Sequence, residues 1–247
     1  MCQETNIVIL LTSCVNPNGM AFTAIQDPVV RLSQYQNSID WYLRHTNYKI
    51  VVTDNSGYDF SATYAKEVAQ GRIEILFFDG NNYDKSIGKG YGEAKIIDYT
   101  IAHSSFITTE TNIVKITGRL KVLNINKLLW NYYSGVMIWT YILGDRIICD
   151  SRFFVAPVAF FVDYFLKEID SLNDSHGYFF ENLLFKKYIQ WKRGGGAVSY
   201  FYRPIKFSGI GASAGVTYKS STPFSTKIRA LLSGLLNHLN FYYLREP

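Results

Sequence analysis

Cysteine is scarce in this chain, and the little there is forms no pattern. Cys2, Cys14 and Cys149 are odd in number and sit in no CxxC or Cys/His spacing. That argues against a disulfide framework and a zinc site and fits reduced, cytoplasmic thiols. No apolar run reaches the roughly 20 residues that a membrane span needs. The first residues carry no basic segment ahead of the short apolar run "NIVILLTSCV", so no secretory signal is read there. Dense Lys/Arg runs of the kind that grip nucleic acid are also missing.

The chain has 247 residues, enough for one large domain or a domain with an appendage. Apolar residues make up 48% and charged residues 18%, a balance that folds rather than stays disordered. The formal charge of +5 permits an anionic ligand or an anionic membrane surface and demands neither.

The first half alternates between strand and helix patterns. "NIVILL" (6–11) reads as a strand buried on both faces, as in a parallel sheet. Asp27-Pro28 reads as a helix start, followed by Leu32, Tyr35, Ile39 and Tyr42 at helical spacing. Residues 48–57 and 72–80 read as further strands, with a short helix between them capped by Ser61 and ended near Gly71. A helix over 92–104 leads into a strand over 112–120. This order predicts a doubly wound α/β fold, with helices on both faces of a largely parallel sheet.

The second half is less regular. "GVMIWTYIL" and "RIICDSRFFVA" read as paired strands, and Pro157 opens a helix that places Phe161, Phe165 and Ile169 on one face. Helices over 177–190 and 224–243 and a strand over 197–207 complete the reading.

Ligands of such sheets sit outside the carboxyl ends of the strands. Those ends carry Thr12-Ser13, Asp54-Asn55, Asp79 and Thr117-Gly118-Arg119. Asp54 is either an acceptor for a nucleobase or ribose hydroxyl or an ordinary turn residue of "DNSG". "DKSIGKGYGEA" (84–94) places glycines, Lys85 and Lys89 just before a helix, which suits an anion. It is equally a solvated loop whose Glu93 complements the helix dipole. Lys115 alternates in phase with Thr117 and Arg119, so the three are expected on one side of the strand. Arg119 follows a glycine that lets a backbone or a ligand come close, and its planar fork matches phosphate oxygens. The alternative is an edge strand with a solvated polar face.

This arrangement resembles a GT-A-type glycosyltransferase over roughly 6–120. More narrowly, "GYGEAKIIDYTI" with "VKITGR" is similar to bacterial surface-polysaccharide glycosyltransferases that carry a K-x-T-G-R strand. The chain departs from the wider family at the Asp-x-Asp metal motif, where it has Thr117-Gly118-Arg119.

The resemblance implies a catalytic domain over 1–223, with a nucleotide-binding half (1–120), an acceptor half (121–223) and an amphipathic helix at 224–247. It implies a nucleotide-sugar donor, expected to be a UDP-sugar, and a lipid-linked glycan acceptor. Thr12, Ser13, Asp54, Lys89, Lys115, Thr117 and Arg119 would hold the donor. Arg119, with Lys115 or Lys89, would stabilise the departing diphosphate in place of a metal. No cofactor is expected, although Mg²⁺ or Mn²⁺ held elsewhere, for instance through Asp150, stays open. "FFENLL" resembles the helix start that supplies the base in inverting enzymes of that fold, which would make Glu181 the base and Asp174 its reserve; Glu181 is equally read as an ordinary first-turn helix residue. Apolar neighbours would raise the Glu181 pKa.

His176 would touch phosphate or acceptor. The glycine-rich stretch 203–218, with Arg203, Ser213 and Tyr218, is either a lid or a plain connection. Lys227, Arg229 and Arg245 mark the last helix for the inner membrane face, or for packing or a dimer contact. The competing reading is a non-catalytic nucleotide- or glycan-binding partner of a polysaccharide assembly complex.

Overall fold

The computed structural model describes residues 6–143, 146–201, 203–211 and 217–218. Its centre is a six-stranded sheet ordered β3-β2-β1-β4-β7-β6. β1 (Ile7–Ser13), β2 (Lys49–Asp54), β3 (Ile73–Phe77) and β4 (Asn112–Thr117) run parallel. β6 (Met137–Leu143) and β7 (Arg146–Pro157) form the expected antiparallel pair, and β7 docks antiparallel on β4. The sheet therefore draws on both halves of the chain.

Helices cover both faces, so the parallel strands are mostly apolar, with polar residues gathered toward their carboxyl ends and Lys115 buried in β4. On one face α1 (Pro28–His45) sets Tyr35, Ile39 and Tyr42 against Ile9, Leu11, Val114 and Ile116. Its Asp27 cap accepts from the Val29 and Val30 amides, as the sequence predicts. α4 (Ile125–Leu129) joins the same core. On the other face α3 (Lys89–His103) and α6 (Phe180–Arg193) pack Ala94, Ile97, Phe180, Leu183 and Leu184 against Val8, Leu10, Ile113 and Phe154.

Several elements differ from their sequence reading. The strand predicted over 112–120 ends at Thr117, and β5 (Leu120–Val122) leaves for a second sheet with β8 (Phe207–Ile210) and β9 (Thr217–Tyr218). The strand expected over 197–207 contributes only an isolated bridge, Val136 with Val198, before β8 begins. Pro204 has no amide to give a ladder there. α2 (Ala65–Ala69) starts after Ser61, whose amide instead donates to Asp59 in a turn.

The helix expected from Pro157 is irregular. α5 (Val158–Phe160) widens into a π-turn over Phe161–Phe165 and tightens over Leu166–Ser171. The widened turn lets Phe160, Phe161 and Phe165 all face inward, each fully buried. α6 begins three residues later than predicted, because Gly177 sits at φ +77°, outside helical geometry. Residues 224–247, including Lys227, Arg229 and Arg245, lie outside the described residues. Among those described, no helix is long and apolar enough to cross a membrane.

Candidate functional site

The chain steps from β1 to β2 to β3 in one direction, then crosses back to place β4 on the other side of β1. The crevice outside the carboxyl ends of β1 and β4 is thus a topological switch point. It holds Thr12 and Ser13 from β1, Thr117 from β4, and Gly118 and Arg119 just beyond. Gly118 lets β1 come close, because a Cβ there would stand 2.5 Å from the Thr12 carbonyl oxygen.

Lys115 lies under this crevice. Its side chain has no exposed surface. The ammonium pairs with Glu93 Oε1 at 2.5 Å and donates to the Ser151 carbonyl at 2.7 Å and to Thr117 Oγ1 at 3.4 Å. Those three partners take all three N–H bonds of the ammonium. Lys115 is thus engaged by the chain itself, through Glu93, Ser151 and Thr117. Glu93 Oε1 also accepts from Thr12 at 3.0 Å and from Thr117 at 3.4 Å. Burial works against the Glu93 charge. Lys115, with the hydrogen bonds from Lys115 and Thr12, outweighs it and holds the carboxyl below its usual range.

Asp54 is fully buried and both its oxygens are occupied. Oδ2 accepts from Ser13 Oγ at 2.6 Å and the Val15 amide at 2.9 Å. Oδ1 accepts from the Ser56 amide and hydroxyl and from the Tyr58 amide, at 2.8, 2.6 and 3.2 Å. Asp54 therefore ties the loop after β1 to the turn after β2. The Ser13 hydroxyl, expected beside Asp54 at the donor, is part of this internal tie.

Arg119 leaves the Lys115 side of the sheet. The strand alternation stops at Gly118, and the guanidinium turns to α1, where Nη1 donates to Gln34 at 3.1 Å. The expectation that Lys115, Thr117 and Arg119 share one side therefore holds only for the first two. Arg119 is 3% exposed, and its Nε has no hydrogen-bond partner. No carboxylate forms an ion pair with it among the described residues. Burial pulls its pKa down, and neighbouring Arg31 pulls the same way.

Arg31, which the sequence reading passed over, is buried and clamps the loop after β1. Nε donates to the Cys14 carbonyl at 2.7 Å, Nη1 to the Ile25 carbonyl and Nη2 to the Tyr35 hydroxyl. A cleft of about 290 Å³ opens between the loop after β1, the start of α1 and the turn after β2, lined by Val15, Asn16, Leu32, Ser56 and Tyr58 among others.

The amino end of α3 is already filled from within. Asp174 is buried against Gly88 and accepts from the Gly90 amide at 3.2 Å. A carboxylate of the chain itself thus meets this helix start. Burial raises the Asp174 pKa, against the pull of the Gly90 amide and Lys89. Lys89 is half-buried at this helix start, and His176 is exposed on the adjoining turn.

Glu181 sits in the first turn of α6, as the sequence predicts, and Oε1 accepts from Ser151 Oγ at 2.5 Å. Burial lifts its pKa above the usual carboxylate value. Asp150 binds the Arg152 guanidinium through both oxygens, at 2.8 and 2.5 Å. Arg152 in turn lies over Phe207 and over Tyr218, which joins β9 to this corner of the fold. Arg203 is exposed, and Ser213 lies outside the described residues. Among the described residues, no three His, Cys, Asp or Glu side chains gather as a metal site would require.

Glu93 is the central residue that the sequence reading treated only as a dipole partner. The signal was present: a lysine inside a buried strand needs an acid, and the helix just before it offers Glu93.

No family model matches the sequence, and no curated relative matches it. Among solved structures, the inositol-1-phosphate CTP transferase of T. maritima overlaps with a TM-score of 0.44 at 12% identity, over 88% of this chain and 94% of that one. 4-Diphosphocytidyl-2C-methyl-D-erythritol synthase overlaps at 0.44 and 9%, over 93% and 99% of the two chains. The bifunctional glycosyltransferase WbbM overlaps at 0.45 and 13%, over 94% of this chain and 45% of that one. Overlaps this loose assign neither a fold family nor an activity.

Proposed function

We propose that the chain is a GT-A-like glycosyltransferase. It moves a sugar from a nucleotide diphosphate donor, a UDP-sugar, to a lipid-linked glycan in bacterial surface-polysaccharide assembly. The observation that carries this reading is Arg119: a buried guanidinium at the switch point whose Nε has no hydrogen-bond partner and which pairs with no carboxylate among the described residues. A buried cation of this kind calls for an anion. The cleft lined by Val15, Ser56 and Tyr58, beyond the ends of β1 and β2, would take the nucleoside.

In the reaction, the acceptor oxygen attacks the anomeric carbon as its proton passes to Glu181. The bond from that carbon to the diphosphate breaks, and its electron pair leaves with the nucleoside diphosphate. Arg119 takes up the developing charge, without a metal. Arg31 keeps the loop after β1 in place and adds positive field. The surface-polysaccharide setting rests on the K-x-T-G-R resemblance alone.

Thermal melting tests the reading. Nucleoside diphosphates and nucleotide sugars are screened with Mg²⁺ and with EDTA, on wild type and Arg119→Ala. Uridine ligands are expected to raise the wild-type melting temperature in EDTA. Arg119→Ala is expected to weaken binding roughly 10- to 100-fold, as for a lost hydrogen bond to a charged group. A shift that needs Mg²⁺ and ignores Arg119 would defeat the metal-free assignment.

The second reading, a binding module without catalysis, draws support from the internal use of Lys115, Asp54 and Ser13. Donor hydrolysis without acceptor separates the two, since a pure binder releases no sugar.

A further inference from the structure

A continuous polar chain runs beneath the crevice and joins two carboxylates through one cation and one serine. Glu93 Oε1 meets Lys115 Nζ at 2.5 Å. The same Nζ donates to the Ser151 carbonyl at 2.7 Å, and Ser151 Oγ donates to Glu181 Oε1 at 2.5 Å. The four residues come from α3, β4, β7 and α6, so the chain stitches the sheet to both helices on this face. Phe154 and Phe180 lie within 5.8 and 5.4 Å of the ammonium as ring-centroid contacts, which keeps this environment apolar.

A buried lysine in a strand needs one acid to neutralise it, and Glu93 does that alone. Nothing in neutralisation requires Ser151 to use its carbonyl on the lysine and its hydroxyl on a second acid. We propose that Glu93 and Lys115 are a positioning pair for Glu181, acting through Ser151 to hold that carboxylate as a proton acceptor. The inference rests on the proposed role of Glu181 as the base.

The physical argument is about opposing fields. Glu181 sees the negative Glu93, which favours its protonated form, and the positive Lys115, which favours its charged form. The Ser151 hydroxyl favours the charged form as well. Cys149, whose Sγ donates to the Glu181 carbonyl, is kept a neutral thiol by burial. Asp174 caps α3, and Asp150 is tied to Arg152. With the pair closed, burial decides, and Glu181 holds its proton more tightly than an exposed glutamate does. Opening the pair from either side breaks the balance in a known direction.

The test needs no substrate. Carbon-13 carboxyl signals of the labelled glutamates are followed against pH, with Glu181→Gln identifying the Glu181 signal. Glu93→Gln leaves the ammonium unopposed, so the Glu181 midpoint is expected to fall by about one pH unit or more. Lys115→Met leaves Glu93 unopposed, so the midpoint is expected to rise by a similar amount. Each single variant strands a buried charge and risks unfolding. The double variant Glu93→Gln/Lys115→Met removes both charges and is expected to bring the midpoint back near wild type.

Shifts of opposite sign with restoration in the double variant establish the coupling. Midpoints that stay put, or that move the same way in both single variants, overturn it. The acid limb of kcat/KM for sugar transfer should then follow the same order. If the midpoints move while that limb does not, the coupling stands and the role of Glu181 as base fails.

Discussion

The Gly118 amide donates to the Thr12 carbonyl at 3.0 Å, and no side chain fits between the two residues. This contact closes the end of β4 onto β1 just where Arg119 turns away toward α1. Gly118→Ala would put a methyl group against that oxygen and force the strand ends apart. The expected cost is about 1–3 kcal/mol, typical of overpacking. For a chain of this size each kcal/mol lowers the melting temperature by roughly 2–4 °C. A variant that melts like wild type would mean that the strand ends have slack.

Asp54 offers a sharper contrast between stability and binding. An asparagine has one acceptor oxygen, and its NH₂ would face groups that now donate to Oδ1 or Oδ2. Asp54→Asn is therefore expected to cost roughly 3 kcal/mol or more without any ligand, because several buried donors lose their acceptor. Urea unfolding of the ligand-free protein measures this. A variant with unchanged stability but no response to nucleotide would return Asp54 to the role of a ligand contact.

Asp174 gives a pH dependence with a definite sign. Burial raises its folded-state pKa above the ordinary aspartate value. In the window between that ordinary value, about 3.9, and the folded value, the folded state binds the extra proton. Its contribution to stability is therefore full below the ordinary value and fades as pH rises through the folded one. Asp174→Asn keeps an oxygen for the Gly90 amide and removes the titration. Relative to the variant, the wild type is expected to gain stability as pH falls from 7 toward 4. Urea midpoints at the two ends of that range are the measurement, and a gain toward neutral pH would contradict the burial argument.

The parallel core was legible because its signals are local and repeated. The strands read at 6–11 and 48–57 overlap the buried β1 and β2, and the Asp27-Pro28 start caps α1 as its chemistry requires. The break after Thr117 was harder to read. Residues 112–120 keep a strand-like pattern across Gly118, and only the fold shows that Leu120 pairs with Gly209 in another sheet. Composition could not reveal how the site residues are used either. Asp54 and Lys115 were found as unusual, but whether a buried polar group meets a ligand or its own chain depends on partners far away. Ser151 is 36 residues from Lys115, and Asp174 is 84 from Gly90.

The central position of β1 also constrains how the chain assembles as it is synthesised. β1 meets β2 after the excursion through α1, but its other neighbour is β4, beginning with the pairing of Ile7 and Asn112. A ribosome adds roughly 5–20 residues each second, so one edge of β1 waits several seconds or more for its partner. That edge belongs to an apolar strand, a template for joining other chains. The order of the sheet thus makes the nascent chain most vulnerable in the interval before β4 emerges, and fastest to escape aggregation where β4 follows without pause.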